Sequence, residues 1–530
     1  KPKTIKQVVI PTSMKTSKSG IIEEQGKRLK RVKKLALEEE PMYKFNRNSQ
    51  ITFSDFNQPL GMKMNANNRW VKKAEMIPWD KIEEKYAKLF PSKTGMPAKP
   101  LRMALGSLLI QKQYGFSDEE LVEQLRENPY YQYFIGMPGY EDKYPFVPSL
   151  LVEFRKRLSE EILMEVNEII IASAMPEKDD SDDDDNNSNN SDGGNTDNKE
   201  ADMSDEKETE NLNSGTLILD ATCAPQNIEY PQDVNLLNEC REKLEKIIDK
   251  ICYDFNYYTP RMYREKARKD YLSLAKCKKR PAKRIRKAVK QQLQYVRRDL
   301  KYVDEFLALD DVKLTEKQAE LLDVIRKVYE QQKFMFENKT HSVENRIVSV
   351  SQPFIRPIVR GKAKSPVEFG AKLDLSVDEN GMARVEKLSF DAYNESEVLK
   401  TAVENYKQRT GHYPARVLVD QIYRNRGNLN FCKGLNIRIS GKKLGRPKQQ
   451  ESDKKTVYKD NTDRIEVERK FSLAKRKFGL GLLYTKLKNT TEASILLSVI
   501  AMNIDRLATM FVRLIWILIF RNPGLQLWGC

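Results

Sequence analysis

The run Arg464-Ile-Glu-Val-Glu468-Arg-Lys-Phe-Ser-Leu-Ala-Lys475 decides the reading of this chain. At about 100° per residue on a helix, Arg464, Glu468 and Lys475 fall within roughly 40° of one another. One helix face thus carries a carboxylate between two cations. Upstream, two apolar strand patterns each end in an aspartate: Thr216-Leu-Ile-Leu-Asp220 and Arg416-Val-Leu-Val-Asp420. Three carboxylates from two strands and a helix form a hard-oxygen ligand set of the kind that holds divalent cations beside a phosphodiester. Taken singly, each has an ordinary meaning. An aspartate after an apolar strand commonly caps a turn, and Arg464/Glu468 is a common surface pair worth ~0.3–0.5 kcal/mol.

Around these motifs the pattern reads as strand, helical insert, three strands, helix, strand, strand, helix. The insert spans about 233–340, with Ile285, Val289, Leu293, Val296, Leu300 and Val303 at helical steps and a capping box at Thr315-Glu-Lys-Gln318. Strands are expected at Ile347-Val-Ser-Val350, at 368–377 and from Ala383 to Phe390. A helix is expected from about Glu395 to Arg409, and a last strand at Leu435-Asn-Ile-Arg-Ile-Ser440. Polar loop residues 441–462 are expected before the Glu468 helix. The sum is an α/β fold, a mixed sheet flanked by helices with a helical insertion after the first strand.

Ahead of it lies an all-helical segment. Leu101, Leu105, Leu108 and Leu109 share a helix face, Tyr114-Gly-Phe116 breaks the pattern, and Ser117-Asp-Glu-Glu120 opens the next helix. A third helix is expected from Pro148-Ser149 through Ile169. Helix, glycine-bearing turn, helix suits a DNA-binding module, and equally an ordinary bundle.

The net charge of +17 is unevenly spread. Residues 177–210 hold 15 acidic and 3 basic side chains, which leaves +29 for the remainder. Such a surplus points to a polyanion, with nucleic acid favoured over membrane. The candidate phosphate contacts are Lys278, Lys279, Arg280, Arg297 and Arg298 in the insert, with Arg464 and Lys475. Six cysteines without a Cys-x-x-Cys pair, and two histidines, argue against a zinc site or a disulfide framework. No Walker-type glycine loop indicates a nucleotide cofactor. No secretory signal opens the sequence, and the apolar run Leu507 to Phe520 is interrupted by Arg513, short of the ~20 residues a span needs. A packed helix, no membrane and a cytoplasmic, nucleoid-associated location are expected.

The divisions expected are a basic arm over 1–50, with Lys27-Arg-Leu-Lys-Arg-Val-Lys-Lys34 its densest cluster, a helical DNA-binding domain over 51–175, and an acidic disordered linker over 176–214. A catalytic domain over 215–510 and a tail over 511–530 follow.

Arg464-x3-Glu468-x6-Lys475 resembles the signature of bacterial insertion-sequence transposases of the DDE class, with Asn461 where the family's tyrosine usually stands. Asp220-Ala-Thr222 and Val419-Asp-Gln-Ile-Tyr-Arg-Asn-Arg-Gly427 resemble the two aspartate motifs. The segment from Leu101 to Ile171, especially Phe154-Arg-Lys-Arg-Leu158, resembles the N-terminal helical domain of those proteins. The resemblance covers roughly 50–510. It implies an RNase H-like catalytic domain in which Asp220, Asp420 and Glu468 are catalytic and bind two Mg²⁺ ions, with Mn²⁺ able to substitute. It further implies terminal inverted repeats and target DNA as partners, a homodimer on DNA, and strand cleavage followed by strand transfer. A catalytically inactive, transposase-derived DNA-binding protein and an RNase H-like nuclease without joining activity are the alternatives.

Overall fold

The computed structural model describes residues 51–88, 98–174, 213–359, 367–441 and 454–521, with side chains to 511. The basic arm, almost all of the acidic segment, residues 442–453 and the last nine residues lie outside them. The helices before the first strand are α1 (Arg69–Met76), α2 (Trp79–Ala87), α3 (Leu101–Tyr114), α4 (Asp118–Glu127), α5 (Pro129–Phe134), α6 (Leu150–Arg157) and α7 (Glu160–Ala174). Residues 51–107 with 128–142 form one compact unit, and 108–127 with the chain from 143 onward form another.

The first unit is built on aromatic rings. Trp70 meets Tyr131 and Phe134 edge-on, and Trp79 meets Phe134 in the same way. Asn128 accepts from the Tyr130 N–H and so caps α5, where Pro129 needs no donor. Buried Arg102 donates to the Tyr133 and Phe134 carbonyls, which satisfies the far end of α5.

In the second unit the Glu120 N–H donates to the Ser117 hydroxyl, as the sequence suggests for the start of α4. The single helix expected from Pro148 is instead two, broken at Leu158-Ser159. The Ser159 Oγ accepts from the Ile162 N–H at 3.5 Å and restarts the helix. Leu158 stays buried across the break, so the apolar spacing alone gave no sign of it.

The insert comprises α8 (Asp233–Asp254), α9 (Arg264–Ala275), α10 (Ala282–Leu307) and α11 (Glu316–Asn338). Both halves of the Thr315/Gln318 capping box are present. Leu244, Ile248, Val296, Val303, Ile325 and Val328 are central to its core. That core also explains a correction. Ile347-Val-Ser-Val350 is not a strand; Ile347 and Val350 are apolar because they close this helical core. The strand that follows the insert is Arg356–Val359 instead.

Asp299 lies fully buried inside the insert, with Arg298 donating to its Oδ1 at 3.3 Å and Oδ2 unpartnered. Burial pushes its carboxyl up to about 7, against the pull of Arg298 and with Glu245 adding to the push. A carboxyl whose folded pKa exceeds its unfolded value gives its full stability below about pH 4 and loses it as pH rises to 7. Asp299→Asn should therefore raise the melting temperature far more at pH 8 than at pH 4.5. The gain at pH 8 is on the order of 2–4 kcal/mol at about 1.4 kcal/mol per pK unit. An equal shift at both pH values in calorimetry would refute this.

The sheet contains β1 (Thr216–Pro225), β2 (Arg356–Val359), β3 (Val367–Val377), β4 (Ala383–Ser389), β5 (Arg416–Leu418) and β6 (Arg438–Ile439). Its order is β2-β3-β1-β5-β6, with β4 also paired to β3. The β1–β3 and β3–β4 pairs are antiparallel, while β1–β5 and β5–β6 are parallel. The parallel steps need crossovers, which α12 (Val398–Thr410) and α13 (Arg426–Gly434) provide. Leu217, Leu219, Val417 and Val419 share a core with Leu399, Val403 and Tyr406 of α12. Side chains alternate along a strand, so Ile218 and Asp220 face the other way.

On that other face α14 (Lys454–Lys477) crosses β1, β3 and β5. It begins well before the expected end of the polar loop, and the extra turns anchor it. Asp460 receives Arg438 at 2.7 Å, and Asp463 receives Arg416 at 2.7 Å. The final helix, α15 (Lys488–Arg521), packs on β4, α6 and α7. Its stretch Lys488–Phe511 is long and apolar enough to cross a membrane, yet two thirds of its most apolar window is buried within this unit.

Candidate active site

Asp220 sits midway along β1 on the face toward α14, paired in register with Leu375 of β3. Its Oδ1 accepts from the Ala221 N–H at 2.8 Å. Burial pushes its carboxyl up to about 6. The Ala221 N–H and the Arg464 guanidinium draw it down, while Glu395 and Asp420 push it further up. Two of the sequence-derived carboxylates, and the arginine of the helix motif, are thus within electrostatic reach of one another. Asp420 is exposed just beyond β5, where its Oδ1 accepts from the Gln421 N–H at 2.8 Å. It opens a 3-10 turn, Gln421–Tyr423.

A buried clamp that the sequence does not reveal holds this turn. The Tyr423 hydroxyl donates to Asp374 Oδ1 at 2.7 Å, and the Tyr393 hydroxyl donates to Oδ2. Asp374 is fully buried on β3, and burial pushes its carboxyl up to about 6 against both donors. Ala221 is its register partner, which places it on the sheet face opposite Asp220. Asp374 therefore positions the Asp420 turn through Tyr423 rather than joining the acidic pair. Glu395, also unforeseen, sits at the start of a 3-10 turn and pairs with Lys372 at 2.8 Å. Only the length of the Tyr423 side chain, three residues after Asp420, could have hinted at an anchor.

Glu468 is on α14, one turn beyond Arg464, with its side chain 54% exposed. Its Oε1 lies 3.5 Å from Arg464 Nη2. The arginine therefore serves two carboxylates, Asp220 by field and Glu468 by contact. Glu466 points away and pairs with Arg469 and Lys470. Lys475 is half-buried two turns further on. The insert cations separate into two groups. Lys278, Lys279 and Arg297 are exposed, whereas Arg280 is tied to Gln232 and to the Ala275 and Cys277 carbonyls. Arg298 turns inward onto Tyr263, Tyr295 and the Met262 carbonyl.

The donor set suits a hard divalent cation in part. Asp220 is half-buried and feels the field of Glu395 and Asp420, which a bound cation would offset. Among the described residues, however, no three acidic, histidine or cysteine side chains stand close enough together to hold an ion. The five cysteines among the described residues are free thiols.

Two family models match the chain. Residues 59–157 match a transposase domain family (DUF772), and residues 417–505, which include Asp420, Arg464, Glu468 and Lys475, match the transposase DDE domain. An uncharacterized protein, ORF8 in the nfe locus of Rhizobium meliloti, is 29% identical over 120 residues, 23% of this chain. That stretch is 58% of the relative's own length. No solved structure matches the chain. With a transposase domain matched toward each end of the sequence, the comparisons support an insertion-sequence transposase of the DDE class.

Proposed function

We propose that this transposase cuts DNA at the terminal repeats of its insertion sequence and joins the 3′-ends to target DNA. Asp220, Asp420 and Glu468 would hold divalent cations, Mg²⁺ by preference. The carrying observation is that Asp220, on the sheet face that α14 covers, lies within the electrostatic field of both Arg464 and Asp420. The strand order β4-β3-β1-β5-β6, antiparallel and then parallel, supports an RNase H-like domain. When bound, such ions lower the pKa of an attacking water or 3′-hydroxyl and offset charge on the leaving oxygen. The protein's own contribution is positional. Asp374 and Tyr423 fix the Asp420 turn, and the Asp460 and Asp463 pairs fix α14 against the sheet. Arg464 is close enough to neutralise a phosphate. Glu468 would leave Arg464 when DNA supplies that phosphate. Two copies would be needed to bring two ends together, so a homodimer on DNA is part of the proposal.

One observation favours the rival reading of a DNA-binding protein without chemistry: Glu468 is engaged by Arg464 and the third ligand is not assembled. The deciding assay incubates the full chain with labelled DNA from both flanks of its gene, a plasmid target and Mg²⁺. Joined product supports transposition; cutting alone indicates a nuclease; retention without cutting indicates the binding protein. In the same assay Glu468→Gln should lower cleavage at least ~100-fold, the several kcal/mol a metal ligand supplies. Glu395→Gln should stay within a few-fold. The reverse ranking would make Glu395 the third ligand.

A further inference from the structure

Helix α10 is 26 residues long and amphipathic in an unusual way. Ala288, Val289, Leu293, Val296, Leu300 and Val303 are buried in the insert core. On the opposite side Lys283, Lys287, Lys290, Arg297 and Lys301 are all exposed, with Gln294 the one neutral residue in the series. Their steps of four, three, seven and four residues keep them within roughly 40° of one line along the helix. At 1.5 Å per residue the row runs for about 27 Å.

A charged helix face is usually just solvated, and in this insert the other helices show what that looks like. On α8, Lys243 pairs with Glu239 at 2.8 Å and Lys250 with Asp254 at 3.5 Å; on α11, Lys327 pairs with Asp323 at 2.7 Å. Each is an i,i+4 pair of opposite signs. The α10 row differs. Among the described residues Lys283, Lys287, Lys290 and Arg297 have no carboxylate partner, and only Lys301 is paired, with Glu305 at 3.6 Å. The remaining α10 arginines are occupied otherwise: Arg284 donates to the Ser273 carbonyl, Arg286 covers the Phe336 ring, and Arg298 is turned inward. From Arg261 to Lys301 the chain holds 17 basic and 3 acidic residues, so the bias is local. Lys278 and Lys279, both exposed, extend it beyond the helix N-terminus.

We propose that this row is a track for the sugar–phosphate backbone of duplex DNA, bound without regard to sequence. A straight line of single-sign charge fits a linear polyanion. Along about 27 Å, one strand of B-form DNA presents roughly eight phosphates. Four of its five cations are lysines, compact point charges that neutralise phosphates without the fork that reads a base edge, and its polar face has no apolar flank to enter a lipid headgroup layer. The track deepens the reading of this chain as a DNA-acting transposase and rests on it.

The test uses the full chain in EDTA, so that chemistry plays no part. Binding of a fluorescent duplex of arbitrary sequence is measured by anisotropy from 50 to 250 mM salt. For Lys283→Gln/Lys287→Gln/Lys290→Gln/Arg297→Gln, the plot of log affinity against log salt should flatten by about 3–4 units, at ~0.9 per phosphate contact. Affinity near 150 mM should fall at least ~30-fold, with unchanged circular dichroism and melting temperature. The control Lys243→Gln/Lys250→Gln/Lys327→Gln, drawn from the paired cations, should keep the wild-type slope. Equal slopes for the two variants would overturn the proposal. So would a loss confined to vesicles of anionic lipid. Because no metal is present, a protein that never cuts DNA can still pass this test, and one that cuts and joins can still fail it.

Discussion

Asp220→Asn is expected to reduce Mg²⁺-dependent strand cleavage by about three orders of magnitude, or ~4 kcal/mol of barrier, while duplex binding in EDTA is unchanged. The substitution is nearly isosteric, and the asparagine oxygen can still accept from the Ala221 N–H. What is lost is an anionic oxygen. The second part of the expectation concerns the fold. Burial, with Glu395 and Asp420, pushes the Asp220 carboxyl up to about 6. Ionising it near neutral pH thus costs stability in the metal-free protein, a cost absent below about pH 4 and complete above about pH 6. At pH 7.5 without metal, Asp220→Asn should melt higher than the parent, and at pH 4 the difference should vanish. Added Mn²⁺ should raise the melting temperature of the parent and leave the variant unmoved. Because the carboxyl must lose its proton to bind a cation, the Mn²⁺ effect on the parent should also fade below about pH 6. A variant that melts lower than the parent at every pH would show that Asp220 is structural.

The second large effect is on stability. Gly370 faces Pro225 in the β1–β3 register, and a Cβ placed there would lie 2.1 Å from the Ala224 carbonyl oxygen and 2.9 Å from the Pro225 Cα. Both obstacles are backbone, so no side-chain rotation relieves them. Gly370→Ala should force β3 away from β1, five residues from Asp220, at a cost of about 3 kcal/mol or more, the upper range for an overpacked interior. Cleavage should fall with it. Gly434, the last residue of α13, is the matched control: a Cβ there meets nothing within 4 Å. Gly434→Ala should be neutral or stabilise by up to ~1 kcal/mol, as for glycine replaced in a helix. Chemical denaturation midpoints of the two variants decide the matter, and parity between them would mean that the β1–β3 pairing is not this tight.

Much of the architecture was legible because it is written in local periodicity. The β1 and β5 patterns, the insert with its Thr315 capping box, and the crossover helix before β5 depend on residues a few positions apart. Two of the errors share one cause. Ile347-Val-Ser-Val350 has the composition of a strand, but Ile347 and Val350 serve a helical core formed by residues far away in sequence. The first turns of α14 look like polar loop until Arg416 and Arg438 arrive from β5 and β6 to pair with Asp463 and Asp460. For the site, the aspartates could be named from their strands and the Arg464–Glu468 pair from helical spacing. The Asp374–Tyr423 clamp and the approach of Glu395 to Asp220 could not, since each is a contact made only by the folded sheet. Which carboxylate completes the set is a question of rotamer and ion pairing, and sequence does not encode it locally.

The insert has a last consequence, for the order in which the chain is made. Asp220 and its partner Leu375 are about 150 residues apart, and β5 lies later still. As the protein leaves the ribosome, β1 emerges with no strand to pair with, and the four helices that follow have their own core and can form first. The strand carrying Asp220 gains its neighbours only when synthesis is nearly complete. Any product of premature termination before β5 therefore lacks both Asp420 and α14, and keeps Asp220 on a strand without its parallel neighbour.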